Sequence, residues 1–75
     1  MYRRIRDLRE DDDLKQRQLA ELLKCSTRTY SDYENGNIRV PADVLIELSR
    51  YYGTSVDYLL GLTDEKKPYP KHKER

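Results

Sequence analysis

The sequence predicts an all-α chain of five short helices. Three observations carry that expectation. Apolar residues recur at spacings of three and four, no stretch alternates apolar and polar residues as a half-buried strand does, and Gly, Asn, Pro and Ser fall between the periodic segments. No internal repeat or coiled-coil heptad is present. Of the 75 residues 36% are apolar and 39% charged, a polar balance, yet the apolar residues are clustered, which favours a packed core over disorder. A chain of this length buries only a modest core, so one domain plus a tail is expected: residues 1–62 folded and 63–75 a flexible basic tail.

Tyr2, Ile5 and Leu8 recur every third residue among Arg3, Arg4, Arg6, Asp7 and Arg9, the pattern of an amphipathic first helix. Asp11-Asp12-Asp13 is expected to end it, since carboxylates at a helix C-terminus oppose the helix dipole. Leu14, Leu19, Ala20 and Leu23 mark a second helix over 16–23. Ser26 is placed to cap a third helix starting at Thr27, with Tyr30 and Tyr33 on its inner face and Asn35-Gly36-Asn37 closing it. Pro41 suits the first turn of a fourth, in which Val44, Leu45, Leu48, Tyr51 and Tyr52 keep helical spacing up to Gly53. Ser55 caps a fifth, with Val56, Leu59 and Leu60 apolar and Gly61 as its stop. Beyond Leu62, TDEKKPYPKHKER has two prolines and no apolar period; its five basic residues either touch phosphate loosely or merely solubilise the end.

Composition excludes several functions. Seven Tyr and no Phe or Trp mean that Tyr must fill the aromatic core sites, with each buried hydroxyl near the surface or hydrogen-bonded. Cys25 is the sole cysteine, so no internal disulfide or cysteine metal cluster forms, and it is expected as a small buried residue. One histidine, His72, no Gly-rich phosphate loop and no paired acid and base argue against an enzyme; no metal, cofactor or small-molecule ligand is expected, the three consecutive aspartates included. No apolar run is long enough for a membrane span or a secretion signal, so a cytoplasmic protein is expected. The net charge of +1 divides into ten basic against eleven acidic residues up to Leu62 and five against three after it. A basic face would therefore have to arise by sorting charges over the surface.

The segment 16–35, QRQLAELLKCSTRTYSDYEN, places two helices around a turn of three or four residues. Such helices cross steeply and need a small residue where they meet, here Ala20, with Leu19, Leu23, Cys25, Tyr30 and Tyr33 facing inward. Thr27, Arg28, Ser31 and Asp32 are left outside. Such side chains suit a helix entering the major groove, Arg as a two-bond donor to guanine and Thr or Ser as a shorter reader, but they also suit a merely solvated face.

RIRDLRE, LKQRQLAELL, the block from Ser26 to Gly36 ending YENG, and PADVLIELSRYYGTSVDYLLG resemble, in order and spacing, the phage-repressor and Cro type of helix-turn-helix regulator, the XRE-like family, from about Arg4 to Leu62. The resemblance implies a lambda-repressor-like five-helix DNA-binding domain with a helix-turn-helix formed by helices 2 and 3 and helix 3, about 27–35, in the major groove. It implies Thr27, Arg28, Ser31, Asp32 and Gln16 as base readers, with Arg28 foremost. Arg9, Arg17, Ser26, Asn35, Asn37 and Arg39 would contact phosphate, and Arg9 would pair with Glu34. Three positions depart from the family pattern. Lys24 stands where Gly is usual in the turn, Lys15 replaces the usual Ser or Thr cap, and Asp32 puts a negative charge among the readers, either accepting from a cytosine amino group or simply solvated.

The expected function is sequence-specific double-stranded DNA binding in transcription regulation, as a repressor that occludes a promoter. A protein-interaction module on the same fold is the alternative. One such domain covers a half-site, so a homodimer on a pseudo-palindromic operator is expected, with Tyr58, Leu59 and Leu62 as the candidate contact.

Overall fold

Residues 2–67 are described in a computed structural model, where they form five helices and no strand: α1 (Arg3–Asp11), α2 (Gln16–Leu23), α3 (Thr27–Asn35), α4 (Ala42–Tyr52) and α5 (Val56–Leu59). The expected helix order and punctuation are realised, with Pro41 one residue outside α4 rather than in its first turn. Its carbonyl accepts from the N–H groups of Val44 and Leu45, both at 3.1 Å. Ser26 and Ser55 cap α3 and α5 by accepting from Thr29 N and Tyr58 N, each at 3.0 Å. Lys15, before α2, has no side-chain acceptor to offer; instead its own N–H donates to Gln18 Oε1 at 2.8 Å.

All five helices end alike. A residue in the left-handed conformation donates its N–H to the carbonyl three positions back, and the next residue donates to the carbonyl five back. The left-handed residues are Asp13, Lys24, Gly36, Gly53 and Gly61, and the five-back bonds run Leu14 to Arg9, Cys25 to Ala20, Asn37 to Asp32, Thr54 to Ser49 and Leu62 to Asp57 at 2.9–3.0 Å. This ending turns the chain sharply, which is how five helices fit around one core. Asp13 takes the conformation with a short polar side chain that tolerates it, whereas Lys24, at φ 58°, carries the Cβ penalty outright.

Each helix contributes to the core, mostly as a pair on one face: Ile5 and Leu8, Leu19 and Ala20, Tyr30 and Tyr33, Leu45 and Leu48, with Leu59 from α5. Burial of each large apolar side chain contributes about 1.5–3 kcal/mol. Tyr30 lies at the centre, fully buried. The Tyr52 hydroxyl is buried without a hydrogen-bond partner among the described residues, which corrects the expectation that every buried tyrosine hydroxyl finds a partner or the surface, whereas the Tyr30 hydroxyl is buried against the Glu34 carboxylate. With no Phe or Trp in the sequence, the central aromatic volume comes with an oxygen attached. Cys25 is half-buried against the core rather than enclosed by it, and burial pushes its thiol pKa up.

The chain does not leave the domain at Leu62. Arg4 donates to the carbonyls of Tyr58 and Thr63 and to the Asp64 carboxylate, and its guanidinium lies 4.1 Å from the centre of the Tyr58 ring. Thr54, itself buried, donates to the Lys66 carbonyl. Residues 63–66 thus lie across α1 and the α4–α5 turn, at the start of the stretch the sequence marks as a tail. His72 and the lysines and arginine of its last five residues lie outside the described residues.

Replacing Lys24 by Gly removes the left-handed penalty without touching a packed atom. K24G is expected to stabilise the chain by about 1 kcal/mol, raising the midpoint of a circular-dichroism melt by roughly 4–8 °C. An unchanged or lower midpoint contradicts this reading of the turn.

Candidate nucleic-acid interface

A carboxylate locks the three N-terminal helices together. Glu34, near the end of α3, has a side chain 1% exposed and receives two bonds from Arg9 of α1, Nε to Oε2 at 2.6 Å and a terminal nitrogen to Oε1 at 3.2 Å. Gln16, the first residue of α2, donates its Nε2 to Oε1 at 3.0 Å. The other terminal nitrogen of Arg9 donates to the Leu14 carbonyl at 2.9 Å, which fixes the loop between α1 and α2. Burial alone would raise the Glu34 pKa. The Arg9, Tyr30 and Gln16 donors and the Arg9 charge outweigh burial and hold its carboxyl below the usual carboxylate range. In turn burial, reinforced by this carboxylate, pushes the Tyr30 hydroxyl far above its ordinary pKa, so it stays neutral.

The pairing of Arg9 with Glu34 is therefore present as expected, and it sets the geometry around it. Because Gln16 reaches Glu34, the N-terminus of α2 lies beside the C-terminal end of α3 and the loop that follows. Tyr30 and Tyr33 face the core, so Thr27 and Arg28, at the opposite end of α3, are exposed. Ser31 and Asp32 are half-buried. Asn35 Nδ2 donates to Ser31 Oγ at 3.3 Å and Asn37 Nδ2 to Asp32 Oδ1 at 3.2 Å. Asn35, the last residue of α3, and Asn37 and Arg39 on the loop after it are exposed, and Arg17 is exposed on α2. Ser26 is exposed too, but its hydroxyl is engaged by Thr29 through both Oγ1, at 2.9 Å, and the backbone.

Of the eight arginines among the described residues, Arg4, Arg6 and Arg9 are paired with carboxylates, whereas Arg3, Arg17, Arg28, Arg39 and Arg50 make no ion pair; of these five, Arg17, Arg28 and Arg39 lie on α2, α3 and the loop after it. A surface cation left unpaired retains its full charge for a partner. Lys15, lacking an acceptor, leaves the first N–H groups of α2 without a side-chain partner, a donor set suited to an anion.

One expectation is corrected. Leu59 is 1% exposed and belongs to the core, so it offers no surface to a second copy. Leu is the residue that α5, four residues long, inserts under α1 and α4, and a helix this short has one inward position to give. Tyr58 is half-buried beneath Arg4, and Leu62 is 72% exposed. The Gln16 link to Glu34, the Arg4 clamp and the Asp32 to Asn37 bond were not read from the sequence. They join residues with no periodic relation, and only the Arg9–Glu34 pair carried a family signature. Among the described residues no group of three or more His, Cys, Asp or Glu is placed to hold a metal, and no helix is long and apolar enough to cross a membrane.

The model of the helix-turn-helix domain family matches residues 3–60. The chain belongs to the helix-turn-helix family. Among relatives of this helix-turn-helix domain, a Bacillus subtilis (strain 168) protein named "Uncharacterized HTH-type transcriptional regulator YobD" is 42% identical over 74 residues, 97% of this chain and 66% of that protein. The "HTH-type transcriptional regulator ImmR" of the same organism is 32% identical over 65 residues, 87% of this chain and 51% of that protein. A crystal structure of a transcriptional regulator from Listeria innocua superposes with a TM-score of 0.77 at 33% identity, covering 87% of this chain and 62% of that one. The chain thus spans between half and two thirds of the length of these proteins. In this helix-turn-helix, α2 and α3 are the paired helices, Lys24-Cys25-Ser26 is the turn, and the Glu34 network braces the pair from below.

Removing one partner of the buried pair leaves the other charge stranded. Arg9→Met is expected to destabilise by about 3–5 kcal/mol in urea unfolding at neutral pH, and Glu34→Gln by less, since the amide keeps the shape. Because the folded-state pKa of Glu34 is depressed, its stabilisation is complete above the ordinary carboxylate pKa and is lost as pH falls below it. Wild type should therefore show an acid limb of stability that is shallower in Glu34→Gln; equal limbs would contradict the role given to this carboxylate.

Proposed function

We propose that the chain is the DNA-binding part of a transcription regulator, placing α3 in the major groove of double-stranded DNA. The observation that carries the reading is the presentation of α3. Its inner face is fixed by Tyr30, Tyr33 and the Glu34 network, while Thr27 and Arg28 stand exposed at its leading end and Arg28 is unpaired. A helix entering the groove brings its N-terminal residues to the base edges. Arg28 donates two bonds to a guanine, and Thr27 meets a base or a thymine methyl. Ser31 lies further along the same helix, and Gln16, tethered through one N–H, keeps its oxygen and second N–H for a base or phosphate.

Phosphate contacts follow from the flanks. Arg17 at the start of α2, Asn35 at the end of α3 and Asn37 and Arg39 after it border the part of the helix that enters the groove, and Arg9 reinforces the site from behind Glu34. The near-neutral total charge leaves any attraction to phosphate to the local cations Arg17, Arg28 and Arg39. The relatives' descriptions as transcriptional regulators agree with the same reading.

Regulation proceeds as repression by promoter occlusion, with two copies on a pseudo-palindrome whose half-site centres lie about 34 Å apart. A body about 25 Å across in its shorter directions accommodates that spacing. Leu62 and the edge of Tyr58 are the surface for the second copy.

Selection of bound fragments from a random duplex pool should return a preferred site whose affinity falls steeply with salt. Arg28→Ala should weaken that site by roughly 1–3 kcal/mol and relax one base position, while Arg39→Ala weakens all duplexes alike. Salt-independent association, or no preference in the pool, would overturn the proposal.

A further inference from the structure

Asp32 stands among the residues that face outward on α3, yet its surroundings differ from those of Thr27 and Arg28. Those two are exposed and make no side-chain hydrogen bond among the described residues, whereas Asp32 is half-buried and its Oδ1 accepts from Asn37 Nδ2 at 3.2 Å. The backbone repeats the link: Asn37 N donates to the Asp32 carbonyl at 3.0 Å, the five-back bond that ends α3 around the left-handed Gly36. One residue thus holds Asn37 by both its main chain and its side chain.

The consequence for Asn37 is chemical as well as geometric. An amide nitrogen carries two N–H groups. With one committed to Asp32, the side chain is biased toward one rotamer and the second N–H toward one direction, while Asn37 as a whole stays exposed. Asn37 begins the loop that leads to Arg39, where a groove-bound α3 meets the sugar-phosphate strand. A carboxylate facing phosphate is otherwise unfavourable, and here its charge is partly absorbed by the donor it orients.

We infer that Asp32 is a positioning residue which aims the Asn37 amide at a DNA phosphate, and that base readout on α3 is confined to its leading end, at Thr27 and Arg28, with Ser31 behind them. The inference rests on the DNA-binding reading above and deepens it by separating readers from holders. It also accounts for a negative charge at a place where a reader would be expected to be neutral or basic. Asp32 does not face the bases; it serves the strand contact next to them.

The test compares Asp32→Ala with Asp32→Asn in the full chain, on a duplex recovered from the random pool and on an unrelated duplex of equal length. Both variants lose the charge, so the difference between them reports the acceptor alone. Asp32→Asn is expected to bind both duplexes about three- to tenfold more tightly than Asp32→Ala, with neither variant changing the base preference recovered from the pool. Adding Asn37→Ala to Asp32→Ala should weaken binding no further, since the pair acts as one unit. A readout independent of DNA accompanies these: the Asn37 side-chain proton bonded to Asp32 should exchange more slowly in wild type and in Asp32→Asn than in Asp32→Ala, with both variants first checked for a cooperative thermal melt. Equal affinities for the two variants, or a base preference altered at one position by either, overturn the inference while leaving DNA binding intact. Failure of the wild-type chain to bind any duplex at low salt removes the DNA-binding reading itself, and the inference with it.

Discussion

Glu34 is a charged side chain placed where almost no water reaches it, and burying a lone carboxylate is so costly that the surrounding structure has to answer it. Three helices do so. Arg9 comes from α1, Gln16 from the first residue of α2, and the carboxylate itself from the end of α3. The network does little for net stability compared with a well-packed apolar cluster of the same volume. What it supplies is direction: a bidentate guanidinium and a tethered amide are satisfied in one relative placement of the helices, whereas apolar faces slide with small loss. The outward set of α3 side chains inherits its position from that constraint.

The five helix ends work toward the same result. Each turns the chain through a left-handed residue and returns two N–H groups to the helix just finished. In α3 that ending also places Asn37, so the device that stops the helix is the one that positions the loop beside it. At the far side of the domain, Arg4 and Thr54 fold residues 63–66 back against α1 and the α4–α5 turn. The body presented to a partner is therefore larger than the five helices alone.

Much of the fold was legible because its signals are local. Ser26, Ser55, Gly36, Gly53 and Gly61 mark helix ends by what their own atoms favour, and pairs such as Ile5 with Leu8 and Leu45 with Leu48 mark inner faces by spacing. Leu59 misled as a surface contact because a four-residue helix has no period from which to tell inside from outside. Asp13 was legible only as part of an acidic stop, and Lys24 only through its departure from a family glycine. The candidate site divided in the same way. Thr27 and Arg28 were found as outward positions on a helix, and Arg9 with Glu34 through resemblance. The hydrogen bonds that give Gln16, Asp32 and Arg4 their roles connect elements distant in sequence or bend around a turn, and no periodicity announces them. The unpartnered Tyr52 hydroxyl was invisible for a related reason, since composition reports how many tyrosines there are but not which partners lie within reach.

The central claim is that this braced α3, with its two flanks, is the surface that meets DNA. Amide chemical-shift mapping of the isotopically labelled chain against a selected duplex tests it most directly. The account predicts that the largest changes fall on Gln16, Arg17, Thr27, Arg28 and the loop from Asn35 to Arg39, with the Ile5 and Leu48 core amides nearly still. Changes concentrated on α4 and α5, with Thr27 and Arg28 unmoved, would contradict it.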